Sequence, residues 1–335
     1  MLSKKRMGLA VAVAVVAVLA VLAGIGLLGT TPEETLVFGD NPSLPTLTFY
    51  TTGLATTPQI PFWAAVDQGE ILKHCNLEVK FWKNLDDLRG VLLAGKGDLW
   101  LGHTEGFIQA RKAGAPVSML YVSGWRKFYL LTRGRQEGGF SAFAGKELAF
   151  APAGSPAVPV LEALGAEGTD RIRFKPFEPR QLSLMLMSGK LDAAMVPEPL
   201  VTRLLSRVEG LVVSGCVEDL YGEATGGLPR MPIAGMAVNR HTAQRLPDTI
   251  QAILAAVLQT SKQLEQTGNT GIESLPDAFA AFVDKETVQK SLERDYVHVE
   301  AAADVRDEIV QYVGLFMPEV LDTAAINVNS WFWRR

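Results

Sequence analysis

Short apolar runs alternate with helically spaced apolar residues from Leu47 to Ser214, the pattern of a parallel α/β sheet with strands buried on both faces. The runs predict strands at Leu47–Thr51, Leu77–Trp82, Asp98–Gly102, Val117–Val122, Phe128–Thr132, Glu147–Ala151, Ile172–Pro176, Leu191–Val196 and Leu211–Ser214. Helices fall between them. Asp86–Ala94 carries Leu88, Val91 and Leu92 at i, i+3, i+4 and stops at Gly95, which suits a left-handed cap. Pro61–Gln68, Pro179–Met187 and Pro199–Arg207 are further helices, and Ser155 before Pro156 opens one that runs to about Leu164. Beyond Asn239 the pattern changes: His241–Leu246, Pro247–Glu265, Pro276–Val283, Lys285–Arg294 and Ala301–Leu315 predict a tail that is almost all helix.

Leu92-Leu93-Ala94-Gly95-Lys96-Gly97-Asp98 recurs as Leu186-Met187-Ser188-Gly189-Lys190-Leu191-Asp192. Each copy ends a helix on glycine, turns on lysine and enters a strand through aspartate. A shared structural role of this kind points to one helix–turn–strand unit used in two halves of the molecule. The aspartates are expected to satisfy turn amides rather than to do chemistry.

Upstream of this body, Lys4, Lys5 and Arg6 precede an uncharged, mainly apolar stretch from Met7 to Gly29. A helix of that length spans roughly 30 Å, the thickness of a bilayer core. The basic cluster places its own end inside and everything after Thr30 outside. Two readings stand: an uncleaved signal anchor over 1–29, slightly favoured by the length of the run, or a signal peptide cut near Val21-Leu22-Ala23. Residues 30–45 read as a tether. Either way the body folds outside the cytoplasm.

Composition narrows the function. The chain is 48% hydrophobic and only 20% charged over 335 residues, enough for two cores and too apolar for disorder. Its formal charge is −4, and setting aside Lys4, Lys5 and Arg6 leaves 29 bases against 36 acids. A body of that sign does not neutralise phosphates, so nucleic acid is excluded as a partner. Cys75 and Cys216 form no CxxC pair, and His74, His103, His241 and His298 show no metal spacing, so neither a metal site nor a cofactor is expected. Gly24–Gly29 fits GxGxxG inside the apolar run, and Gly90–Lys96 fits GxxxxGK but continues with Gly97 in place of a Ser or Thr. Neither stands at a strand-to-helix turn, so neither is a nucleotide motif. No GxSxG or HExxH string offers a catalytic centre.

Pro61-Phe62-Trp63-Ala64-Ala65-Val66-Asp67-Gln68-Gly69, then Leu77-Glu78-Val79, resembles the opening of the nitrate/sulfonate/taurine and thiamine-precursor solute-binding proteins of ABC transporters. The two Gly-Lys-x-Asp turns, Gly114-Ala115-Pro116-Val117 and Glu198-Pro199 fit the same resemblance, which covers about Leu47 to Ser214. It implies a type II periplasmic-binding-protein fold, with two Rossmann-like lobes joined by two crossing strands near Leu130–Arg133 and Pro232–Ala237. Lobe one then comprises 46–130 plus 237–335, and lobe two 131–236. The implied function is capture of a small polar or anionic molecule in the interlobe cleft, on the periplasmic face of the inner membrane. The implied partners are an ABC permease and ATPase, with the membrane reached through the N-terminal helix. The alternatives are an enzyme on the same fold, akin to pyrimidine-forming synthases, whose cysteine-rich iron motif is absent, and a membrane-tethered solute sensor.

In open parallel sheets ligands bind beyond the carboxyl ends of strands, where helix N-termini present free amides. That rule selects Leu54, Asn84, His103, Thr104 and Trp125 in the first half, and Gly154, Ser155 and Glu198 in the second. Ser155 is a helix cap or a ligand donor. His103 is a capping or packed histidine, or a ligand contact. Trp63 and Trp125 stack on a planar ligand or fill the lobe edge, with a cleft position favoured for Trp125 because Gly124 precedes it and Arg126 follows. Glu198, held between Pro197 and Pro199, receives a cationic group or pairs with an arginine.

Overall fold

The computed structural model describes residues 35–52, 56–268, 270–279, 284–321 and 328–335. The expected membrane helix over 1–29, residues 30–34 of the expected tether, Leu54 and the end of the helix expected at Pro276–Val283 lie outside them. The rest of that tether, expected at 30–45, is corrected in part: Leu36–Phe38 is a strand paired with Asn76–Trp82. Among the described residues no helix is long and apolar enough to cross a membrane.

The chain opens with β1 (Leu36–Phe38) and β2 (Thr46–Thr52), then α1 (Ile60–Asp67), β3 (Asn76–Trp82), α2 (Leu85–Leu93), β4 (Leu99–His103), α3 (Thr104–Lys112) and β5 (Val117–Arg126). In β2 the alternation Leu47, Phe49, Thr51 turns three fully buried side chains to one face. The helix α1 is apolar all round and buried from Ile60 to Val66, sandwiched between the sheet and a later helix. A second sheet begins with β6 (Phe128–Arg133), followed by β7 (Glu147–Phe150), α4 (Ala157–Leu164), β8 (Arg173–Pro176), α5 (Pro179–Met187), β9 (Ala193–Pro197), α6 (Leu200–Arg207) and β10 (Leu211–Cys216). After α7 (Val217–Thr225) the chain returns to the first sheet through β11 (Ala234–Asn239). The last elements are α8 (Arg240–Arg245), α9 (Pro247–Thr267), α10 (Lys285–Ser291), β12 (Tyr296–Ala301) and α11 (Arg306–Phe316).

The two sheets have the orders β1-β3-β2-β4-β11-β5-β12 and β10-β6-β9-β7-β8. Both are mixed, which corrects the expectation of parallel sheets. β2 runs parallel to β3 and β4, and β7 parallel to β8 and β9. The returning β11 is inserted antiparallel between β4 and β5, and β6 is antiparallel to β9 and β10. The tail is also not all helix: Val297, Val299 and Ala301 alternate with polar residues along β12, which seals β5 from its far side.

The first change of sheet occurs at Lys127, the one residue between β5 and β6. The segment expected to cross, Leu130–Arg133, lies inside β6. The apolar run from Val117 to Leu131 continues through the change, so only the charged Arg126-Lys127 step marks it. The second change lies between α7 and β11, and most of the segment expected to cross, Pro232–Ala237, lies inside β11. Behind these connections the apolar core is continuous, from Trp100 and Met119 through Trp125 and Phe128 to Phe150 and Met195, with Tyr312 of α11 packed into it.

The sequence echo has a matching backbone. Gly95 and Gly189 stand at φ +62° and +67°. Each glycine amide donates three residues back, to Leu92 and Leu186, and each following lysine amide donates to Val91 and Met185. The aspartates then diverge. Asp98 accepts the Thr48 amide at 2.8 Å and the Thr242 hydroxyl, whereas Asp192 pairs with Arg133 at 3.2 Å.

Candidate functional site

A cavity of about 620 Å³ opens where the carboxyl ends of strands from both sheets converge. Thr52, Trp82 and His103 end β2, β3 and β4 on one side, and Pro197 ends β9 on the other, with Glu198 next in the chain. Lys127 and Phe128 at the sheet change, and Ile233 and Ala234 at the start of the return, complete the wall. The volume suits a small organic molecule.

Two of the charged groups at this wall, Lys127 and Glu198, are paired within the protein. The Lys127 ammonium donates to Asp295 Oδ2 at 2.6 Å and to Thr57 Oγ1 at 2.9 Å, and the Thr57 hydroxyl donates in turn to Asp295. The side chains are only 11% and 0% exposed, so the pair is a buried one. Glu198 accepts from Arg294 Nε at 2.7 Å and from the Thr202 amide and hydroxyl, both at 3.0 Å. Burial pushes its carboxyl upward and those bonds oppose the shift. His103 Nδ1 lies 3.3 Å from Glu105 Oε1.

A third carboxylate holds the sheet change itself. Glu218, at the start of α7, accepts the Lys127 amide at 2.7 Å and the Phe128 amide at 3.2 Å. Fully buried, its carboxyl is raised to about 7 by desolvation, against the pull of these amides and the Cys216 thiol. The Glu198 amide donates to the Lys127 carbonyl at 2.9 Å. Lys127 is thereby tied at its amide, its carbonyl and its ammonium.

The structure brings His103 and Glu198 to the cavity. Thr104 sits directly behind, fully buried, with a hydroxyl that lacks a hydrogen-bond partner among the described residues. Asn84 is exposed near the rim and caps α2 by accepting the Asp87 amide at 2.9 Å. Ser155 is buried one residue before the cap of α4 and accepts the Ala157 amide at 3.4 Å; neither it nor Gly154, at φ +78°, lines the cavity.

Trp63 is core: its ring packs among Phe38, Phe49, Phe62 and Phe279, and its indole N–H donates to Gln59 at 3.2 Å. The cleft position favoured for Trp125 is corrected. Its ring is fully buried, its N–H donates to the His298 carbonyl at 2.7 Å, and the Arg230 guanidinium covers one face at 4.2 Å. The flanking Gly124 and Arg126 reflect crowding and pairing instead, since a Cβ on Gly124 would touch Pro58 at 3.0 Å and Arg126 pairs with Asp219.

Sequence reasoning missed Lys127, Phe128, Ile233 and Trp82. Trp82 ends a strand run and faces the cavity with its N–H fixed on the Leu101 carbonyl at 3.1 Å. The available signal was the charged pair Arg126-Lys127 within an apolar run.

A larger hollow of about 980 Å³ lies beyond the Arg294–Asp295 segment, lined by Arg126, Tyr129, Arg230 and Tyr296. Its arginines are spent on Asp219, on Glu300 and Glu308, and on Glu198. Among the described residues only β5, at Arg126, brings a carboxyl end to it, so the smaller cavity is the better candidate site. Both cysteines are buried. Desolvation, with a lesser push from Asp98, raises Cys75 to about 12, and burial followed by Glu218 raises Cys216, so neither is set up as a thiolate nucleophile.

No protein-family model matches the chain, and no curated protein matches it. Solved structures do share its fold. The periplasmic aliphatic sulphonate binding protein SsuA from Escherichia coli superposes with a TM-score of 0.66 at 15% identity, over 86% of this chain and 92% of that one. The alkanesulfonate-binding SsuA from Xanthomonas axonopodis pv. citri, bound to MOPS, gives 0.60 at 18% identity, over 88% and 100%. The nitrate-binding protein NrtA from Synechocystis PCC 6803 gives 0.61 at 13% identity, over 87% and 85%. The chain thus has the mixed α/β, two-sheet fold of periplasmic binding proteins.

Proposed function

We propose that this chain is an extracytoplasmic solute-binding protein that captures a small molecule in the cavity between two lobes for an ABC importer. The observation that carries the reading is the convergence of β2, β3, β4 and β9 by their carboxyl ends, from two different sheets, on one cavity of about 620 Å³. The resemblance of the sequence and the fold shared with sulfonate- and nitrate-binding proteins support it. Lobe one carries the first sheet with most of the tail, and lobe two the second sheet. The bend lies at Lys127 and along the return from α7, and the continuous core behind it favours bending over separation of the lobes. Partners are a permease and an ATPase that read closure. The run Met7–Gly29 tethers the protein to the membrane or directs its export, which places the body on the periplasmic side.

A thermal-shift screen of the full chain against small metabolites tests the reading. A ligand at a hundredfold excess over its Kd adds roughly 2.7 kcal/mol, a clear rise in Tm. A screen in which no solute moves the melt, while one is turned over, replaces the reading with an enzyme on the same fold.

A further inference from the structure

We infer that the guest of this cavity is an uncharged molecule with a largely apolar, ring-bearing body and a hydrogen-bond acceptor directed at Lys127. The inference rests on the cavity being the solute site, and it departs from the expectation of a polar or anionic guest.

The charge inventory argues first. A receptor for an ion keeps an opposite charge unspent for it, because moving an ion out of water into an apolar cavity costs several kcal/mol unless it is paired. Here Lys127 is neutralised by Asp295 and Glu198 by Arg294, while His103 Nδ1 makes no hydrogen bond among the described residues and has the Glu105 carboxylate 3.3 Å away. Lys83 at the rim has an exposed side chain, so its ammonium stays hydrated and offers a guest little.

The helix ends argue second. A helix N-terminus attracts an anion only while its own amides and dipole are unanswered. Three of the helices that open around this cavity carry their own carboxylate: Asp86 and Asp87 in the first turn of α2, Glu105 in that of α3, and Glu198 on the Thr202 amide of α6; the helical segment from Thr57 into α1 has no acidic residue in its first turn. The leading amide of α3, that of Thr104, is itself spent on the Ile233 carbonyl at 3.0 Å. At those three helix ends an incoming anion meets carboxylates rather than bare amides.

The walls argue third. Phe81, Trp82, Leu101, Phe128, Pro197 and Ile233 give the cavity a mainly apolar, partly aromatic lining. Such a surface gains from covering a ring and loses by stripping water from a charge. Lys127 offers a directional contact. An ammonium has three N–H donors, and the structure shows two of those of Lys127 in use, on Thr57 and Asp295. The third has a carbonyl or ether oxygen as its natural acceptor. Because Asp295 stays beside it, the pair acts as a neutral donor.

The test uses three compounds that share one ring system: 2-naphthamide, 2-naphthoate and naphthalene-2-sulfonate, titrated calorimetrically into the full chain at low salt. The amide is expected to bind at least tenfold more tightly than either anion. Asp295→Asn, which frees the Lys127 charge, is expected to raise naphthoate affinity at least tenfold while leaving naphthamide within threefold; the wild-type ranking stands as a test even if that variant fails to fold. An anion that binds wild type as well as or better than the amide overturns the inference and leaves solute capture intact. If none of the three binds, the inference falls, and the metabolite screen then decides whether solute capture falls with it.

Discussion

Glu218 Oε1 accepts the Lys127 amide at 2.7 Å, so a fully buried carboxyl from α7 holds the one residue at which the chain passes from the first sheet to the second. The bond closes a short circuit at the bend, because α7 begins the return path to the first sheet. Both connections between the sheets therefore meet at one side chain.

This carboxyl makes stability depend on pH in a direction opposite to most surface carboxylates. Burial raises it from 4.5 to about 7 in the folded chain. Between those values the folded chain holds a proton that the unfolded chain has lost, so stability is full below pH 4.5 and declines as pH rises to 7, by about 3 kcal/mol. Glu198 is also raised, with the same sign. Wild type is expected to melt higher at pH 5 than at pH 7.5, and Glu218→Gln to reduce that difference while matching or exceeding wild type at pH 7.5. Equal slopes in thermal melts of the two proteins count against this account.

Arg294 and Glu198 form the second tie across the sheets, and removing one partner is the costly change. Glu198 has a fully buried side chain, and Arg294→Ala leaves it with Thr202 alone. Arg294→Ala is expected to lose about 3 kcal/mol in urea denaturation. Adding Glu198→Gln is expected to recover at least half of that, because the stranded charge is gone. Additive losses in the double-mutant cycle speak against a coupled pair.

Much of the first sheet was legible in the chain. Strand runs such as Leu77–Trp82 and helices such as Pro179–Met187 agree with the structure because local spacing and caps decide them. What escaped is set by partners distant in sequence. β12 reads as part of a helical tail until β5 supplies its pairing, some 170 residues earlier. At the site, His103 and Glu198 were visible because they follow strands. Lys127 was not, since its role depends on Asp295, Thr57 and Glu218, which no local pattern joins to it.

The two tryptophans near the bend are expected to separate stability from binding. Trp125 is fully buried beneath Arg230, with its N–H satisfied by His298. Trp125→Ala is expected to lose about 4 kcal/mol through cavity formation and an orphaned carbonyl. Trp82 is only partly buried and faces the cavity, so Trp82→Ala is expected to lose less stability and to weaken solute binding at least tenfold. Denaturation curves together with titration of the solute found in the metabolite screen check both; unchanged affinity in Trp82→Ala moves the guest away from that wall.

Two glycines close to the cavity are expected to respond in opposite ways to the same methyl group. Gly235 lies in β11 between Gly102 of β4 and Val122 of β5. A Cβ there would stand 2.0 Å from the Tyr121 carbonyl oxygen and 2.8 Å from Val122 Cα, both backbone atoms held in the sheet. Neither can rotate away, so Gly235→Ala must push β11 from β5 and break the ladder that carries the chain back to the first sheet. A loss of about 3 kcal/mol or more is expected, at the upper end of overpacking effects. Gly106 is inside α3 with nothing within 4 Å of a Cβ. Gly106→Ala therefore adds only helix propensity and removes unfolded-chain freedom, a gain of about 0.5 to 1 kcal/mol. Guanidinium melts of the pair decide the matter: a Gly235→Ala protein as stable as wild type shows that β11 and β5 are not packed this closely.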